Sequence, residues 1–262
     1  MVNNQPPEEE RFEEEPPLEA FMEEEPPPKT RPLRKAVVMT VAAVVALAML
    51  VQGSAFLFQH FSLDALRFTS ESQQLEKEGD FEPFKEAVVA VQTDRGHGTG
   101  FIISESGDVL TNEHVIRGAS SIYVHLPDGE RYEATETKTD ETNDLAMLAL
   151  EGQPDNLPTL TLADTAAIPG NTVYVIGHPM THSYITNKGE VKESHDAYQV
   201  LAITNAVFPG HSGSPVLSEE GEVVGMVYAR TSGENGNGEG LAVPLRQILA
   251  FVEDDQALNR RF

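Results

Sequence analysis

Short apolar or alternating runs, separated by turn-forming residues, dominate the sequence from Ala87 onwards. The intervening segments include ESGD, PDGE and EEGE, which are rich in residues that favour tight turns. Runs of this length, interrupted so often by turns, are typical of β-strands in an all-β barrel or sandwich. The predicted strands lie within residues 87–93, 98–104, 121–126, 144–150, 171–177, 198–204 and 222–229.

One segment near the C-terminus has helical periodicity instead. In residues 244–255, PLRQILAFVEDD, the apolar side chains of Leu245, Ile248 and Leu249 fall on one face of a helix. Pro244 stands at the first position of this helix, where a missing N–H is tolerated. We therefore expect a single C-terminal helix that packs on the β-strands.

A continuous apolar segment, residues 36–58, precedes the β pattern and carries no charge. A helix of this length can cross the hydrocarbon core of a membrane. Basic residues precede this segment, and no lysine or arginine follows it before Arg67. The positive-inside rule therefore predicts a single-pass signal anchor with a cytoplasmic N-terminus and residues 60–262 outside. A signal peptide cleaved after Ala55 is the alternative. The basic flank consists of Lys29, Arg31, Arg34 and Lys35.

The segments on either side of the predicted anchor are polar. Residues 1–35 combine a Glu/Pro-rich low-complexity tract with the basic flank, and such a composition cannot bury enough apolar surface to fold. We expect a disordered cytoplasmic tail, either simply solvated or docking on a cytoplasmic partner. Residues 59–83 are expected to form a partly helical stalk.

Length, net charge and cysteine content limit the number of domains and the classes of function. The 262 residues leave room for one domain, 84–262, after the tail, anchor and stalk. A net charge of −24 argues against nucleic-acid binding, which depends on basic surfaces. The absence of cysteine excludes disulfides, thiolate metal sites and a cysteine nucleophile.

The stretch FPGHSGSPVL, residues 208–217, places Ser212 where it is either a nucleophile or one small residue of a turn. A serine nucleophile requires a base and a group that orients this base. All histidines precede Ser212, which excludes the chain order of the α/β-hydrolases. His114 follows an apolar run, and Asp144 begins another, so the order His, Asp, Ser is available. His97, in GHGTG, has no matching subtilase serine motif, and we expect it in a loop.

Several motifs occur together in the order of a known family. The series GTGFIIS, GDVLTNEHVI, NDLAMLAL, VIGHP, GHSGSPVL, GEVVGMVYA and GLAVP resembles the trypsin-like serine proteases, most closely the HtrA/DegP branch, from about Ala87 to Val252. The resemblance implies an all-β fold of two six-stranded antiparallel β-barrels with a C-terminal helix. It also implies a site in the cleft between the barrels, with His114, Asp144 and Ser212 as the catalytic triad.

The same resemblance implies an oxyanion hole formed by the backbone N–H groups of Gly210 and Ser212. Two neighbouring positions depart from the family. HtrA enzymes usually have Asn before the serine and a second Gly after it, whereas this chain has His211 and Ser214. The order of the oxyanion loop in this chain therefore depends on how it accommodates these two side chains.

The predicted specificity pocket lacks the charged residues that trypsin-like enzymes use to select charged side chains. Ala206 stands where enzymes for basic residues carry Asp, and Val227 stands where glutamyl endopeptidases usually place His. We therefore expect a preference for small to medium aliphatic residues, with modest discrimination. The predicted pocket walls are Ala206, Val207, Phe208, Val227, Tyr228 and Ala229.

The predicted function is that of a membrane-anchored serine endopeptidase that cleaves misfolded or exposed polypeptides outside the cytoplasm. No metal or organic cofactor is expected, since Pro179 separates His178 from His182 and makes a helical metal pair unfavourable. The chain ends soon after its last helix, so we expect no PDZ domain; a homo-oligomer follows only by family analogy. A dedicated processing protease and a catalytically silent binding module are the alternatives.

Overall fold

The computed structural model describes residues 32–60, 71–77, 79–152, 154, 156–178, 184–193, 200–231 and 238–259. The chain divides into two units, Met1–Phe61 and Ser62–Phe262. The predicted tail as far as residue 31, and residues 61–70 of the predicted stalk, lie outside the described residues.

The first unit contains one helix, α1 (Pro32–His60), among its described residues. This helix includes the whole of the predicted anchor, 36–58. The side chains of residues 35–49 are exposed, and those of 50–60 lie outside the described set. Within the part of the chain that the structure describes, no helix meets the combined length and apolarity needed to span a membrane.

The second unit begins with a closed antiparallel barrel of six strands. Its strands follow one another as β1-β2-β3-β6-β5-β4, and pairing of β1 with β4 closes the barrel. Alternating or fully apolar runs explain most of these strands, but β5 is largely exposed and polar. The strands are β1 (Val88–Thr93), β2 (His97–Ile102), β3 (Asp108–Thr111), β4 (Ile122–His125), β5 (Arg131–Asp140) and β6 (Leu145–Leu150).

The second half of this unit is a curled sheet of six strands in the order β8-β7-β10-β11-β12-β9. An antiparallel bridge between Val191 and Ile203 joins its two edges, and the N–H of Lys192 donates to Ala202 O at 2.8 Å. The prediction of two six-stranded barrels is therefore confirmed. The strands are β7 (Thr172–Gly177), β8 (Ile185–Glu190), β9 (Leu201–Ile203), β10 (Pro215–Leu217), β11 (Val223–Arg230) and β12 (Gly240–Pro244).

Four further helical segments belong to the second unit. They are α2 (71–77), α3 (Glu82–Lys85), α4 (Glu113–Ile116) and α5 (Leu245–Asn259). The predicted C-terminal helix is present, but Pro244 ends β12 and α5 begins at Leu245. Because proline lacks an N–H, it fits the end of a strand as readily as the start of a helix.

Part of the predicted stalk packs on the second barrel. Ser72 Oγ accepts the backbone N–H of Thr186 at 3.1 Å, and the rings of Phe81 and Tyr174 lie 5.0 Å apart. Residues 71–83 thus share buried surface with the β domain.

One apolar cluster contains residues from both barrels and from α5. Burying such side chains together removes apolar surface from water, which fixes the two barrels against each other. The predicted site residues lie near the junction of the two barrels, since the N–H of Thr99 in the first barrel donates to Ser212 O. The cluster includes Phe101, Leu110 and Leu145 of the first barrel, Ile176, Met226 and Val243 of the second, and Ile248 of α5.

Candidate active site

Ser212 lies in a segment of two consecutive tight turns, residues 208–214, which we call the serine loop. In the first turn the N–H of His211 donates to Phe208 O at 3.0 Å, with Pro209 in the second position and Gly210 in the third at φ +98°. A proline followed by a residue of positive φ is typical of a type II turn. Gly210 is therefore required by the backbone, since other residues rarely adopt this conformation.

The second turn follows at once and repeats the pattern. The N–H of Ser214 donates to His211 O at 2.9 Å, and Gly213 in the third position has φ +86°. A Cβ on Gly213 would lie 1.9 Å from Thr99 O, so any side chain there would collide with β2. Ser212 is thus the second residue of a turn whose backbone presses against the first barrel.

Two N–H groups of the serine loop have no hydrogen-bond partner within the described residues: those of Gly210 and Ser212. The N–H groups of His211, Gly213 and Ser214 donate to Phe208 O, Val227 O and His211 O respectively. Buried backbone N–H groups are nearly always paired, so an unpaired donor at buried Gly210 indicates a place for an acceptor that the free chain does not supply. A substrate oxyanion is such an acceptor.

Thr99 of β2 connects the serine loop to the first barrel. Its N–H donates to Ser212 O at 2.8 Å, and its Oγ1 donates to Gly210 O at 2.7 Å. The same Oγ1 accepts the N–H of His178 at 3.0 Å. Thr99 is fully buried, so these bonds are shielded from water. Both carbonyls beside the unpaired N–H groups are therefore held by one residue.

His114 and Asp144 form a doubly hydrogen-bonded pair on the first barrel. His114 lies in α4, and its Nδ1 is 2.7 Å from Asp144 Oδ2. Its backbone N–H donates to the other carboxylate oxygen, Oδ1, at 2.9 Å. With Nδ1 bound to the carboxylate, Nε2 is the ring nitrogen left for other chemistry. The side chains are 38% and 21% exposed, so both are partly accessible to solvent.

The side chain of Asn112 holds the backbone of Asp144. Its Nδ2 donates to Asp144 O at 2.8 Å, and Asn112 is fully buried. Asp144 has φ +55°, a left-handed conformation that Asp tolerates better than most residues. Asn112 directly precedes α4, but its side chain bonds to the backbone of Asp144 and makes no capping hydrogen bond to the helix.

Gly98 brings the two halves of the candidate triad close together. A Cβ at Gly98 would lie 3.0 Å from Ser212 O and 2.8 Å from a side-chain carbon of Val115, the neighbour of His114. Within the described residues, no hydrogen bond joins Ser212 Oγ to His114. Catalytic hydrogen bonds in free enzymes are often long and shorten only when substrate binds.

The predicted pocket residues flank the serine loop in two segments. Val227 exchanges backbone hydrogen bonds with the loop: its O accepts the N–H of Gly213 at 2.8 Å, and its N–H donates to Ser214 O at 2.9 Å. Val207 and Val227 point into the core of the second barrel, since both belong to its buried apolar cluster. The partly exposed members of the predicted pocket are Ala206, Phe208, Tyr228 and Ala229.

Burial dominates the electrostatics of the site. It raises the pKa of Tyr228, and the nearby Asp144 carboxylate adds to this effect. It also lowers the pKa of His211 to about 4, because the ring is almost completely enclosed. Among the described residues, no cluster of His, Asp and Glu is arranged to hold a metal ion.

Sequence reasoning did not identify Thr99 or Asn112, although each contacts the site directly. Their hydrogen bonds reach partners 111 and 32 residues away, so no local pattern marks them. His97, expected in a loop, is the exposed first residue of β2. It lines a cavity of about 470 Å³ together with His125 and His178.

A family model described as the trypsin-like peptidase domain matches residues 98–226, which include all three predicted triad residues. Two similar proteins, from Marinomonas sp. and Chlamydia muridarum, are named as DegP-like periplasmic serine endoproteases. Both are 37% identical to this chain, over 183 and 184 residues. These matches cover 66% and 65% of this chain, but only 38% and 36% of the relatives.

Solved structures show the same similarity. The serine endoprotease from Yersinia pestis matches with a TM-score of 0.59 and 28% identity, over 65% of this chain and 62% of that one. The Rv3671c protease of M. tuberculosis, in an inactive form, matches with a TM-score of 0.57 and 27% identity, over 66% of this chain and 91% of that one.

The β domain therefore has the chymotrypsin-like two-barrel fold. In sequence it is similar to the trypsin-like peptidase domain and to serine endoproteases named as DegP-like.

Proposed function

We propose that Ser212, His114 and Asp144 are a working catalytic triad that hydrolyses peptide bonds through an acyl-enzyme. Two observations together carry the proposal. His114 and Asp144 are joined by two hydrogen bonds, and the serine loop leaves two N–H groups unpaired within the described residues. Asp144 accepts the Nδ1–H of His114, which fixes the tautomer and leaves Nε2 to act as the base.

In the proposed reaction, His114 Nε2 takes the proton of Ser212 Oγ as this oxygen attacks the substrate carbonyl carbon. The carbonyl oxygen becomes an oxyanion, which accepts hydrogen bonds from the N–H groups of Gly210 and Ser212. His114 then gives its proton to the leaving amine, and water releases the acyl group by the reverse sequence of proton transfers. No cofactor takes part in any step.

The proposed substrates are exposed or misfolded polypeptides with an aliphatic residue before the scissile bond. The partly exposed pocket residues Ala206, Phe208, Tyr228 and Ala229 carry no formal charge, which supports a preference for aliphatic side chains. The names of the relatives support an extracytoplasmic location for the β domain. Assembly into a homo-oligomer is proposed by family analogy alone.

We further propose that α1 anchors the chain in the membrane with its N-terminus in the cytoplasm. The exposed apolar side chains between Val37 and Met49, and the basic residues before them, support this proposal. A carbonate wash of isolated membranes tests the anchor: an anchored chain stays with the membrane, and a chain released by the wash contradicts the proposal. Protease treatment of sealed vesicles tests the orientation of the chain.

Labelling of the full chain with a fluorophosphonate probe tests the triad, with Ser212→Ala as the control. We expect labelling that requires Ser212 and that falls when His114 is replaced by Ala. A folded chain that takes up no probe contradicts the proposal and favours the catalytically silent binding module. Digestion of unfolded casein beside folded proteins then distinguishes a broad protease from a dedicated processing protease.

A further inference from the structure

We propose that His211 is a positioning residue that holds the first turn of the serine loop in the form that presents the Gly210 N–H to substrate. The proposal rests on the proposed function, because the turn matters only if Gly210 stabilises an oxyanion. It concerns the position where this chain departs from the Asn that is usual in HtrA enzymes.

The hydrogen bond from Phe208 to His211 defines the state of the imidazole. The backbone N–H of Phe208 donates to His211 Nδ1 at 3.2 Å. A backbone N–H can only donate, so Nδ1 must carry a lone pair and the ring proton must be on Nε2. The side chain is 1% exposed, which makes this neutral form the stable one. His211 is therefore an acceptor built into the loop and not a charged group.

The same two residues are joined by a second hydrogen bond in the opposite direction, from the N–H of His211 to Phe208 O at 3.0 Å. Together the two bonds clamp the ends of the turn that contains Pro209 and Gly210. Types I and II of this turn differ by rotation of the central peptide, which carries the N–H of Gly210. Both types have the same ends, so the two bonds keep this turn closed, and the positive φ of Gly210 within the closed turn is that of type II.

The surroundings of the ring explain why it stays in place. A Cβ on Gly177 would lie 2.8 Å from His211 Cδ2 and 2.3 Å from Ser214 Oγ, so only a glycine leaves room for both side chains. The ring of Phe208 lies 5.9 Å away, centroid to centroid. Burial lowers the pKa of His211, and backbone hydrogen bonding with Phe208 opposes part of this effect; no charged side chain among the described residues contributes to it.

Protonation of His211 would place a hydrogen on Nδ1, facing the N–H of Phe208. Two donors cannot bond to each other, so the clamp would lose one of its two hydrogen bonds. We therefore expect the turn to become less ordered as the pH falls, independently of the protonation of His114. Asn at position 211 can place its Oδ1 where His211 has Nδ1, but it does not titrate in this range.

The test compares the full chain with His211→Leu, which is of similar size but has no acceptor, and with His211→Asn, which keeps one. The measured quantities are the fluorophosphonate labelling rate and kcat and KM on a peptide substrate. We expect His211→Leu to lose about 10²-fold in labelling rate and kcat with little change in KM, as when one oxyanion donor is lost. His211→Asn should recover most of that loss and should keep more of its kcat than the wild type on the acid side of the pH profile.

Amide hydrogen exchange at residues 208–211 supplies a readout that does not depend on catalysis. We expect the Phe208 amide to be protected in the wild type and in His211→Asn, and to exchange faster in His211→Leu. Equal protection in all three chains would overturn the proposal, and so would a folded Leu variant labelled at the wild-type rate. If the wild type takes up no probe but the exchange pattern holds, the proposed function fails while the role of His211 in the turn stands.

Discussion

The two halves of the candidate site are built in different ways. On the first barrel, His114 is held by two hydrogen bonds to the Asp144 carboxylate, and Asn112 fixes the backbone of Asp144. On the second barrel, the serine loop contains two glycines of positive φ. It also contains two buried side-chain atoms, His211 Nε2 and Ser214 Oγ, that have no hydrogen-bond partner among the described residues. The proposed base, His114, is thus fixed by its own polar contacts, whereas the proposed nucleophile, Ser212, depends on packing and on hydrogen bonds from neighbouring residues.

This contrast suggests where the site is sensitive. A charged hydrogen bond such as that between His114 and Asp144 is strong and local, so its loss should affect chemistry more than folding. The serine loop is held by Thr99, Gly177 and His211, none of which performs chemistry in the proposed mechanism. Changes to these residues should therefore act through the order of the loop.

The largest expected effect comes from the first barrel. Asp144→Asn keeps the size of the side chain but removes the charge that fixes the His114 tautomer. We expect kcat to fall by about 10⁴-fold, the magnitude known for this change in trypsin-like triads, with the thermal midpoint almost unchanged. Steady-state kinetics and thermal unfolding of the full chain measure both. A loss smaller than tenfold would show that Asp144 does not orient the base.

Thr99→Val tests the link between the two halves. The valine keeps the shape of threonine but cannot donate to Gly210 O or accept the N–H of His178. We expect the labelling rate to fall by about 10²-fold, because the oxyanion donors lose their alignment. Thr99→Ser retains the hydroxyl and serves as the control, with labelling near the wild-type rate. Equal labelling of the Val and Ser variants would show that the loop is ordered without this bond.

The pH dependence of stability tests the serine loop separately from the His114–Asp144 pair. Burial lowers the pKa of His211 from 6.5 to about 4, so the folded chain prefers the neutral ring more than the unfolded chain does. Its contribution is fully present above pH 6.5 and is lost as the pH falls towards 4. The loss amounts to about 3 kcal/mol of unfolding free energy.

Urea unfolding at pH 7 and pH 4, followed by tyrosine fluorescence, measures this loss. Acidic residues elsewhere also respond to pH, so the comparison is with His211→Asn, in which those residues are unchanged. We expect the wild type to lose more stability than the variant between the two pH values. Equal losses would mean that His211 is not buried as a neutral ring.

Much of the fold was predictable because its strands follow apolar runs. The runs at 87–93, 144–150 and 222–229 correspond to β1, β6 and β11. The predicted segments did not include β3, β5, β8, β10 or β12. Two of these strands show why: β5 has mostly exposed, polar side chains, and β10 has only three residues. Neither strand has an apolar face long enough to recognise, and each forms because its neighbours in the sheet offer hydrogen bonds.

The candidate site was also predictable only in part. Motif order predicted His114, Asp144 and Ser212 as the triad, and the structure brings the first two into contact. Chain order carries no information about Thr99, whose hydroxyl bonds to a residue far away in the sequence. The structure was also needed to explain how the loop accommodates His211 and Ser214, because both side chains occupy space that Gly177 leaves open.

The smallest expected effect concerns that space. Gly177→Ala adds a Cβ that would lie 2.3 Å from Ser214 Oγ and 2.8 Å from His211 Cδ2. Overpacking of a buried site costs about 1–3 kcal/mol, so we expect a lower urea midpoint and slower labelling. Combining the change with Ser214→Gly removes the nearer clash and should recover part of the loss. Such non-additivity is expected only for residues in contact. If the double variant lost as much as the sum of the two single changes, Gly177 and Ser214 would act independently, and the packing account of the serine loop would be wrong.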